Sequence, residues 1–395
     1  MATLGIVNIG TLVSGDLTAG VLAGDSVLVQ DGRIAAIGDR GQTGAHQADV
    51  VLDAHGTTVM PGLIDSHCHI VLGDYTPRQK TVDFLDSYVH GGITSVISPG
   101  EIHAPGRPRD ANGLKALAVA ARACFLNFHP TGMKVHAGAI VIEPTLQEAD
   151  FREVAERGVW LAKYGFGQFA DPADGEPQIR WAQQYGLKVM CHSGGASIPG
   201  SKPISAEHLL QLRPDICGHV NGGTTALRDE GVRQIVTDTD MILQLVQAGN
   251  IRSLLYIMRL AVEHGALPRV VLASDTPTGT GVIPLGVLKT CCEIATLSGV
   301  APETVLALAT GNNADAWNLD TGRIAVGRAA DLVVLDAPWG SVAADALGAI
   351  ANGDMPGISA VVIDGEVRTL RSRNTPAAAR MATVTPPMPY LGGGH

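Results

Sequence analysis

The sequence predicts an α/β fold, namely a (β/α)8 barrel with a small composite β-domain that both chain ends build together. Eight short apolar segments alternate with helix-like segments through the middle of the chain, and hairpin-like segments occur near both ends. Hydrophobic residues make up 46% of the chain but aromatic residues only 4%, so small aliphatic side chains must fill the core. This composition suits the packed interior of a parallel barrel.

Hairpin signals near both ends predict the composite domain. Asp-Gly pairs at residues 31–32 and 364–365 each stand between two strand-like segments, which is a strong short-range signal for a hairpin. We therefore assign residues 1–61 and 320–395 to one β-sandwich domain and residues 62–319 to the barrel. Two unrelated β-appendages are the alternative interpretation.

The middle of the chain predicts a closed, TIM-like barrel. Strand and helix alternate eight times in about 250 residues, which is the usual length of such a barrel. The helix-like segments include 111–124, 177–185 and 252–264. The eight predicted strands are 63–66, 94–98, 133–137, 159–163, 187–191, 215–218, 241–245 and 270–274.

Charge and composition narrow the class of protein. The net charge is −10 and no basic run occurs, which argues against a nucleic-acid partner. No apolar segment reaches the roughly 18 residues of a membrane span, and the first residues lack a secretory signal pattern. The six cysteines include no CxxC pair, so we expect buried small side chains rather than disulfides. These features predict a cytoplasmic protein without a membrane contact.

Possible metal ligands stand at the ends of five predicted strands. Barrel enzymes carry their catalytic groups at the carboxyl ends of the strands. Two side chains separated by one residue of extended chain point the same way, so a His-x-His pair can share one ion. Each residue alone has an ordinary explanation, such as a hydrogen-bonded histidine, a helix cap or an ion-paired lysine, but their joint placement predicts a metal site. The predicted metal ligands are His67, His69, Lys163, His192, His219 and Asp275.

Two longer segments resemble the amidohydrolase superfamily. The string PGLIDSHCH at residues 61–69 resembles the first barrel strand of that superfamily, and GRIAVGRAADLV at 322–333 resembles its return into the β-domain. The similarity extends over nearly the whole chain. It implies a metal-dependent hydrolase of carbon–nitrogen bonds other than peptide bonds.

A closer resemblance is to the enamidases, hydrolases of cyclic enamides within that superfamily. It implies a binuclear metal site, a small-molecule substrate that is a cyclic amide or enamide, and a homo-oligomer, either a tetramer or a dimer. The segments that carry this resemblance are 73–81, 197–201, 279–286 and 356–359.

One position departs from the enamidase pattern. The resemblance places a glutamate at the metal bridge on the fourth strand, whereas this chain has Lys163. An ammonium group cannot ligate a cation, but a lysine carbamate offers two oxygens and a negative charge, as in hydantoinase-like amidohydrolases. We therefore expect a carboxylated Lys163 to bridge two metal ions. The alternative is an unmodified amine beside a single ion.

The ligand types predict how the site works. Imidazole ligands favour divalent transition metals, with zinc as the first expectation and iron as the second. His67, His69 and Asp275 are expected to hold one ion, and the histidines at 192 and 219 the other. A metal-bound hydroxide would attack the amide carbonyl. Asp275 is the predicted catalytic residue, carrying the proton to the leaving nitrogen.

Three residues are predicted to bind the substrate. Arg78 and Lys80 follow the first strand, where a cation can pair with a substrate carboxylate. His136 ends the third predicted strand and is the third candidate. Salt bridges or a structural role are the alternatives for all three. Residues 278–281 are expected to form a rim of the site, and the loop 103–108 a lid.

Other functions fit the sequence less well. Mononuclear deaminases of this superfamily often carry a glutamate three residues after a strand-end histidine, and neither His192 nor His219 has one. An N-acyl amide hydrolase and a non-catalytic, hydantoinase-like scaffold remain alternatives, although a scaffold need not keep a complete ligand set. The pattern GxGxxA at 165–170 resembles a dinucleotide fingerprint but lacks the acidic residue that should follow about 20 residues later.

Overall fold

The computed structural model describes residues 3–70, 72, 81–104, 106–198, 200–222, 226–277 and 283–387. The strands are β1 (Leu4–Val7), β2 (Thr11–Val13), β3 (Val21–Leu22), β4 (Ser26–Gln30), β5 (Arg33–Gly38), β6 (Val50–Asp53), β7 (Thr58–Pro61), β8 (Leu63–Asp65), β9 (Ile93–Ile97), β10 (Lys134–His136), β11 (Ile140–Val141), β12 (Leu161–Tyr164), β13 (Lys188–Cys191), β14 (Ile216–Cys217), β15 (Ile242–Val246), β16 (Val270–Ala273), β17 (Leu332–Asp336), β18 (Gly357–Ile363), β19 (Glu366–Leu370) and β20 (Thr383–Thr385).

The helices lie mainly between the strands of the middle segment. They are α1 (Arg40–Thr43), α2 (Thr81–Val89), α3 (Ala111–Asn127), α4 (Glu148–Glu156), α5 (Glu176–Gln184), α6 (Ala206–Leu212), α7 (Asp229–Asp238), α8 (Ile251–Glu263), α9 (Gly286–Ser298), α10 (Pro302–Ala309), α11 (Gly311–Trp317) and α12 (Ala346–Asn352). Within the described parts of the chain, no helix is long and apolar enough to cross a membrane.

Strands from both ends of the chain pair in two sheets. One has the order β20-β6-β1-β4-β5 and the other the order β19-β18-β17-β7-β2-β3. In the second sheet β7 pairs with β2 on one side and with β17 on the other, so the two ends meet at β7. Apolar side chains from both sheets share one buried cluster that includes Ile6, Val59 and Val334.

Both predicted hairpins are present, and their turns explain the Asp-Gly pairs. Asp31 and Gly32, between β4 and β5, have φ values of 51° and 75°. Asp364 and Gly365, between β18 and β19, have φ values of 50° and 74°. Two successive residues with positive φ form the turn that matches the twist of a tight hairpin, and Asp and Gly tolerate this conformation well.

The middle segment forms two parallel sheets, β10-β9-β8 and β11-β12-β13-β14-β15-β16. Each of the eight strands predicted for this segment overlaps one of these strands. The third predicted strand, 133–137, covers β10 only. The chain bends just after it, at Gly138, where φ is 88°, so β10 pairs with β9 and the short β11 beyond the bend pairs with β12. The sequence prediction did not include β11.

The first and last of these strands lie side by side. The side-chain Nδ2 of Asn313, on α11, donates to the carbonyl oxygens of Ile64 in β8 and Leu272 in β16, at 3.0 and 2.8 Å. Beyond the strand ends, Cys68 and Thr276 form a parallel bridge. These contacts bring the residue segments after β8 and β16 together, at the carboxyl ends of the strands.

Helix α8 illustrates how the outer layer packs on the strands. Its first turn is capped by Asn250, whose side chain accepts a hydrogen bond from the Ser253 amide. Leu254, Ile257 and Ala261 recur at helical spacing and are buried in the same apolar cluster as Leu243 and Leu245 of β15. The periodicity of apolar residues therefore fixes which face of the helix turns inward.

Candidate active site

Most of the predicted metal ligands lie at one end of the parallel strands. His67 stands two residues beyond β8, His192 directly follows β13, and His219 stands two residues beyond β14. Lys163 lies within β12, and Asp275 stands two residues beyond β16. Because parallel strands share the direction of their carboxyl ends, residues from distant parts of the chain converge here.

Three of these residues form a compact group. Oδ1 of Asp275 lies 3.2 Å from Nε2 of His67 and 3.0 Å from Nε2 of His69. One potential ligand atom from each residue lies within 4.8 Å of the others. Both histidines are buried, and the Asp275 side chain is 16% exposed. The backbone holds the group together, since the Asp275 amide donates to the His67 carbonyl at 2.8 Å.

A second pair of histidines adjoins this group. Nδ1 of His192 lies 3.0 Å from Nε2 of His219, and their ring centroids are 4.6 Å apart. The centroid of the His219 ring is 5.4 Å from that of His67, so the two clusters are continuous. The structure therefore brings four predicted histidine ligands into one buried region.

Burial keeps these imidazoles neutral. It lowers the pKa of His67 and that of His219 well below the ordinary value of 6.5. Burial also lowers the pKa of His192 to about 4. A neutral imidazole presents a lone pair on one ring nitrogen, which is the form that ligates a metal ion. The site thus holds its histidines in the protonation state that metal binding requires.

Asp275 is held as a carboxylate. Burial alone would raise its pKa, but the neighbouring imidazole of His67 and a hydrogen bond from His69 outweigh burial and hold the pKa well below its usual range. The backbone φ of Asp275 is 58° and that of His219 is 37°. Such left-handed conformations are uncommon outside glycine and often occur at functional sites, where the surrounding structure compensates their cost.

Gln244, in β15, sets the tautomer of His67. Its Nε2 donates to the carbonyl oxygen and the hydroxyl of Ser66, at 3.0 and 3.1 Å. Its Oε1 must therefore face the other way, where it lies 2.7 Å from Nδ1 of His67. Since an amide oxygen can only accept, Nδ1 carries the proton and Nε2 carries the lone pair. The sequence analysis did not identify this residue.

The tautomer of His67 indicates whether a cation fits the site. The His67 lone pair at Nε2 faces Oδ1 of Asp275, which also accepts only, across 3.2 Å. Two acceptors at that distance repel each other unless a cation lies between or beside them. In addition, Nδ1 of His69 is buried and has no hydrogen-bond partner among the described residues. The donor set and its orientation fit a divalent ion.

The tautomer of His192 is fixed by a hydrogen bond as well. Nε2 of His192 lies 2.7 Å from the carbonyl oxygen of Gly195, so that nitrogen carries the proton. The lone pair of His192 at Nδ1 then faces Nε2 of His219. A backbone carbonyl that orients a histidine in this way is a common support for a metal ligand.

Asp65 connects the first and last strands beneath the ligands. One carboxylate oxygen accepts from the backbone amides of Ser274 and His67, at 2.9 and 3.2 Å, and the other accepts from the Ser274 hydroxyl. Burial raises the pKa of Asp65 to about 7. Asp65 thus holds the backbone at His67 and at Ser274, next to Asp275. The sequence analysis did not identify Asp65 either.

Lys163 is fully buried beside the histidines. Its Nζ donates to the thioether sulfur of Met190 at 3.3 Å and lies 5.7 Å from the centroid of the Phe166 ring. Burial lowers its pKa to about 8, although Asp275 acts in the opposite direction. Among the described residues, no carboxylate lies within salt-bridge distance of this amine. A thioether is a weak acceptor, so the amine is poorly satisfied.

The predicted substrate-binding residues are placed differently. Arg78, Lys80 and the rim 278–281 lie outside the described residues. His136 has its ring centroid 5.8 Å from that of Trp160. Burial, followed by the charges of Arg122, Lys134 and His129, lowers its pKa to about 4, and none of these residues belongs to the metal-ligand cluster. The structure therefore does not bring His136 against that cluster through any of these contacts.

Comparison with known proteins identifies the relatives of this chain. Residues 58–368 match the model of the amidohydrolase family. The chain is 47% identical to an enamidase from Eubacterium barkeri over 96% of this chain and 98% of that protein. A crystal structure of enamidase superimposes with a TM-score of 0.91, covering 97% of this chain and all of that one.

More distant relatives share the fold or part of the sequence. An imidazolonepropionase from Mycolicibacterium smegmatis is 27% identical and covers 86% of this chain and 92% of that protein. The N-acetylglucosamine-6-phosphate deacetylase of Pasteurella multocida is 13% identical with a TM-score of 0.63, which shows the fold alone; it covers 92% of this chain and 99% of that one.

These matches confirm the predicted superfamily, its TIM-barrel fold and its class of chemistry, a hydrolase of carbon–nitrogen bonds. Members of this superfamily use divalent metal ions, and the His67, His69 and Asp275 group is a possible site for one. The chain belongs to the amidohydrolase family, as an enamidase-like member.

Proposed function

We propose that this protein hydrolyses the carbon–nitrogen bond of a cyclic amide or enamide at a centre of two divalent metal ions. The observation that carries this proposal is the orientation of His67, whose lone pair faces the carboxylate of Asp275. A metal ion bound by both atoms makes that arrangement favourable, and the resemblance to enamidase supplies the class of substrate.

The ligands divide between two ions. His67, His69 and Asp275 would hold one ion, and His192 and His219 the other. Imidazole and carboxylate ligands suit zinc first and iron second. When bound, such ions lower the pKa of a coordinated water and polarise a carbonyl oxygen.

A carboxylated Lys163 would bridge the two ions. The buried amine has only a thioether as its recorded hydrogen-bond partner, and its lowered pKa increases the fraction of neutral amine. The neutral Nζ forms a bond to the carbon of carbon dioxide and releases one proton. The product is an anionic carbamate with two oxygen ligands in place of a buried cation, which removes the cost of that unpaired charge.

Asp275 would move the proton during hydrolysis. A water oxygen forms the new bond to the amide carbon, and the carbon–nitrogen bond breaks. Asp275 accepts a proton from the attacking water and delivers it to the leaving nitrogen. The lowered pKa of this group keeps it deprotonated at neutral pH. Its contacts with both His67 and His69 hold it at the point where water and substrate must meet.

The domain organisation is part of the proposal. We assign residues 1–61 and 320–395 to one composite β-domain and residues 62–319 to a closed eight-stranded barrel. The pairing of β7 with β17 supports the first assignment, and the Asn313 contacts between β8 and β16 support the second.

Two further properties rest on the likeness to enamidase and on composition. We propose a homo-oligomer, either a dimer or a tetramer, and a cytoplasmic location. Size-exclusion chromatography with light scattering tests the first, and a monomer at micromolar concentration would contradict it.

Metal content per chain is the first test, on protein produced with added metal and bicarbonate. About two ions per chain, together with hydrolysis within a panel of cyclic amides and enamides, is the expected result. One ion per chain would point to an unmodified Lys163 and to a mononuclear hydrolase or deaminase. A protein that binds no stoichiometric metal, even after metal is added, would favour a non-catalytic scaffold.

A further inference from the structure

The two neighbours of Asp275 in the chain both carry a buried hydroxyl. Ser274 and Thr276 are fully buried, and their side-chain oxygens lie 3.0 Å apart. Asp275, between them, turns its carboxylate toward His67 and His69. A group that holds both hydroxyls therefore fixes the chain on each side of Asp275.

Tyr88, on α2, contacts both hydroxyls. Its Oη lies 3.2 Å from Oγ of Ser274 and within hydrogen-bond distance of Oγ1 of Thr276. The side chain is buried, and the ring of Phe84, one turn earlier in α2, packs edge-on against it with the ring centroids 4.6 Å apart. Burial raises the pKa of Tyr88 well above its ordinary value of 10, so the phenol keeps its proton.

The direction of these hydrogen bonds follows from the acceptor at their end. The Ser274 hydroxyl donates to a carboxylate oxygen of Asp65. A hydroxyl has a single proton, so Oγ of Ser274 can only accept from Thr276 and Tyr88. Tyr88 then donates to one of the two hydroxyls beside Asp275, and the chain of bonds ends at the Asp65 carboxylate. Hydrogen bonds that run in one direction strengthen each other.

The helix that carries Tyr88 is itself anchored. Asp86 pairs with Arg373, and Nδ2 of Asn374 donates to the carbonyl oxygen and the hydroxyl of Ser87, at 2.9 and 3.0 Å. These partners follow β19 in the chain, so α2 is held by the segment that leaves the β-sheets. Tyr88 therefore reaches the strand ends from a fixed position.

Asp275 needs such support because of its backbone conformation. Its φ of 58° lies in the left-handed region, which costs free energy in a residue other than glycine and persists only where surrounding contacts hold it. The carbonyl oxygen of Thr276 accepts from the His69 amide at 2.7 Å. Backbone bonds thus hold the main chain of this turn, and Tyr88 holds the side chains on either side of Asp275.

We propose that Tyr88 is a positioning residue for the hydrolysis, which keeps the carboxylate of Asp275 in place through the hydroxyls of Ser274 and Thr276. This inference rests on the proposed function, in which Asp275 holds a metal ion and moves a proton. A misplacement of about 1 Å in such a group can lower a rate about 100-fold. The recorded side-chain hydrogen bonds of Tyr88 go to Ser274 and Thr276 and to none of the ligands, so its hydroxyl acts on the ligand set through Asp275.

Tyr88→Phe removes only the hydroxyl. In full-length, metal-loaded protein, and with a cyclic amide that the wild type hydrolyses, kcat should fall about 10- to 100-fold while KM changes less than about threefold. Metal affinity, measured by competition with a chelator, should fall about 10- to 100-fold. Thr276→Val should reproduce both losses, whereas Thr276→Ser, which keeps a hydroxyl, should retain most of the wild-type kcat.

A double-mutant cycle separates positioning from a general loss of stability. Because Tyr88 acts through Asp275, Tyr88→Phe should change kcat and metal affinity less than about threefold when Asp275→Asn is already present. A merely structural role predicts the same factor in both backgrounds.

Tyr164 offers a matched control. It is another buried tyrosine, and its hydroxyl donates to the carbonyl oxygen of Pro172 at 2.5 Å. Although Tyr164 follows Lys163 in β12, successive strand residues point to opposite faces of a sheet, so its hydroxyl is turned away from the ligands. Tyr164→Phe should lower the melting temperature about as much as Tyr88→Phe does, but kcat, KM and metal affinity should stay within about threefold of the wild type.

The outcomes distinguish the role of Tyr88 from the proposed function. Equal kcat and metal affinity in the wild type and Tyr88→Phe would overturn the role, and so would equal factors in the two backgrounds of the cycle. Metal affinity decides this even where no amide is hydrolysed, and Thr276→Val carries the comparison should Tyr88→Phe fail to fold. A wild type that binds no metal and hydrolyses nothing would instead contradict the proposed function, and with it the ligand that Tyr88 is proposed to position.

Discussion

The amide oxygen of Gln244 lies 2.7 Å from Nδ1 of His67, and this contact turns the other ring nitrogen of the histidine, with its lone pair, toward Asp275. The glutamine itself is oriented by two hydrogen bonds to Ser66. A residue outside the ligand set thus decides which histidine nitrogen is available to a metal ion. Such supporting hydrogen bonds influence metal affinity strongly.

Gln244→Leu should therefore weaken metal binding. The substitution removes the acceptor for Nδ1 of His67, so the tautomer is no longer fixed, and we expect a loss of about 10- to 100-fold in metal affinity. Competition with a chelator measures it. Gln247→Leu is the control, because Gln247 contacts Thr290 and none of the ligands in its recorded side-chain bonds. Equal effects of the two substitutions would contradict the role of Gln244.

Asp275→Asn should abolish most of the turnover while much of the metal stays bound. An asparagine keeps an oxygen ligand but cannot take a proton, and proton transfer of this kind contributes roughly 10²- to 10⁴-fold to rates. The measurements are kcat and elemental analysis on the same preparation. Near-normal turnover with full metal content would remove Asp275 from the proton path.

Lys163→Glu should make metal binding independent of bicarbonate. A glutamate carries a permanent carboxylate, whereas the lysine needs carbon dioxide to become a ligand. In the wild type we expect metal content to rise when bicarbonate is supplied, and in Lys163→Met we expect loss of the second ion under all conditions. A wild type that binds two ions equally well without any source of carbon dioxide would contradict carboxylation.

His136→Asn should reduce the acid sensitivity of the metal-free protein. Burial lowers the pKa of His136 from 6.5 to about 4 in the folded state. Between these two values the unfolded chain binds the proton and the folded chain does not, so stability falls as the pH is lowered through this window. The Tm of the variant should fall less than that of the wild type between neutral pH and about pH 5.

Two controls accompany this measurement. His46→Asn, at an exposed position, should retain the wild-type dependence of Tm on pH. The KM of His136→Asn for a hydrolysed amide tests the predicted contact with substrate, because a purely structural histidine leaves KM unchanged. An identical acid sensitivity of wild type and His136→Asn would argue against a lowered pKa.

Asn313→Ala should lower the free energy of unfolding by more than most substitutions of a single polar side chain do. The side chain donates to two buried carbonyl oxygens, and leaving them unpaired costs about 1–3 kcal/mol each. Asn127→Ala, on the exposed face of α3, should change the free energy of unfolding by less than about 0.5 kcal/mol. Urea denaturation of the metal-free proteins measures both, and a loss at Asn313 no larger than that at Asn127 would contradict its role.

The strands of the middle segment could be predicted from the sequence because buried parallel strands appear as short apolar runs. Val270–Ala273 is buried at every position and is flanked by polar or helical segments. The histidines could be predicted as a group for a similar reason, since polar side chains that directly follow apolar strands stand at one end of the barrel. Neither prediction required knowledge of distant contacts.

The supporting residues could not be assigned without the structure. Gln244 interrupts the otherwise apolar strand Ile242–Val246, and this interruption is a signal, but its partner His67 lies 177 residues away. Asp65 is a comparable case at the end of β8.

The pairing of β7 with β17 has a consequence for how the protein matures. β7 ends at Pro61, directly before the strand that leads to His67, and its partner Leu332–Asp336 is synthesised only after the whole barrel segment. During translation the first ligand strand therefore emerges long before its neighbour in the sheet exists. Domains generally fold as units once their chain is complete. We therefore expect a chain that stops before Leu332 to carry His67 without the strand that pairs with β7.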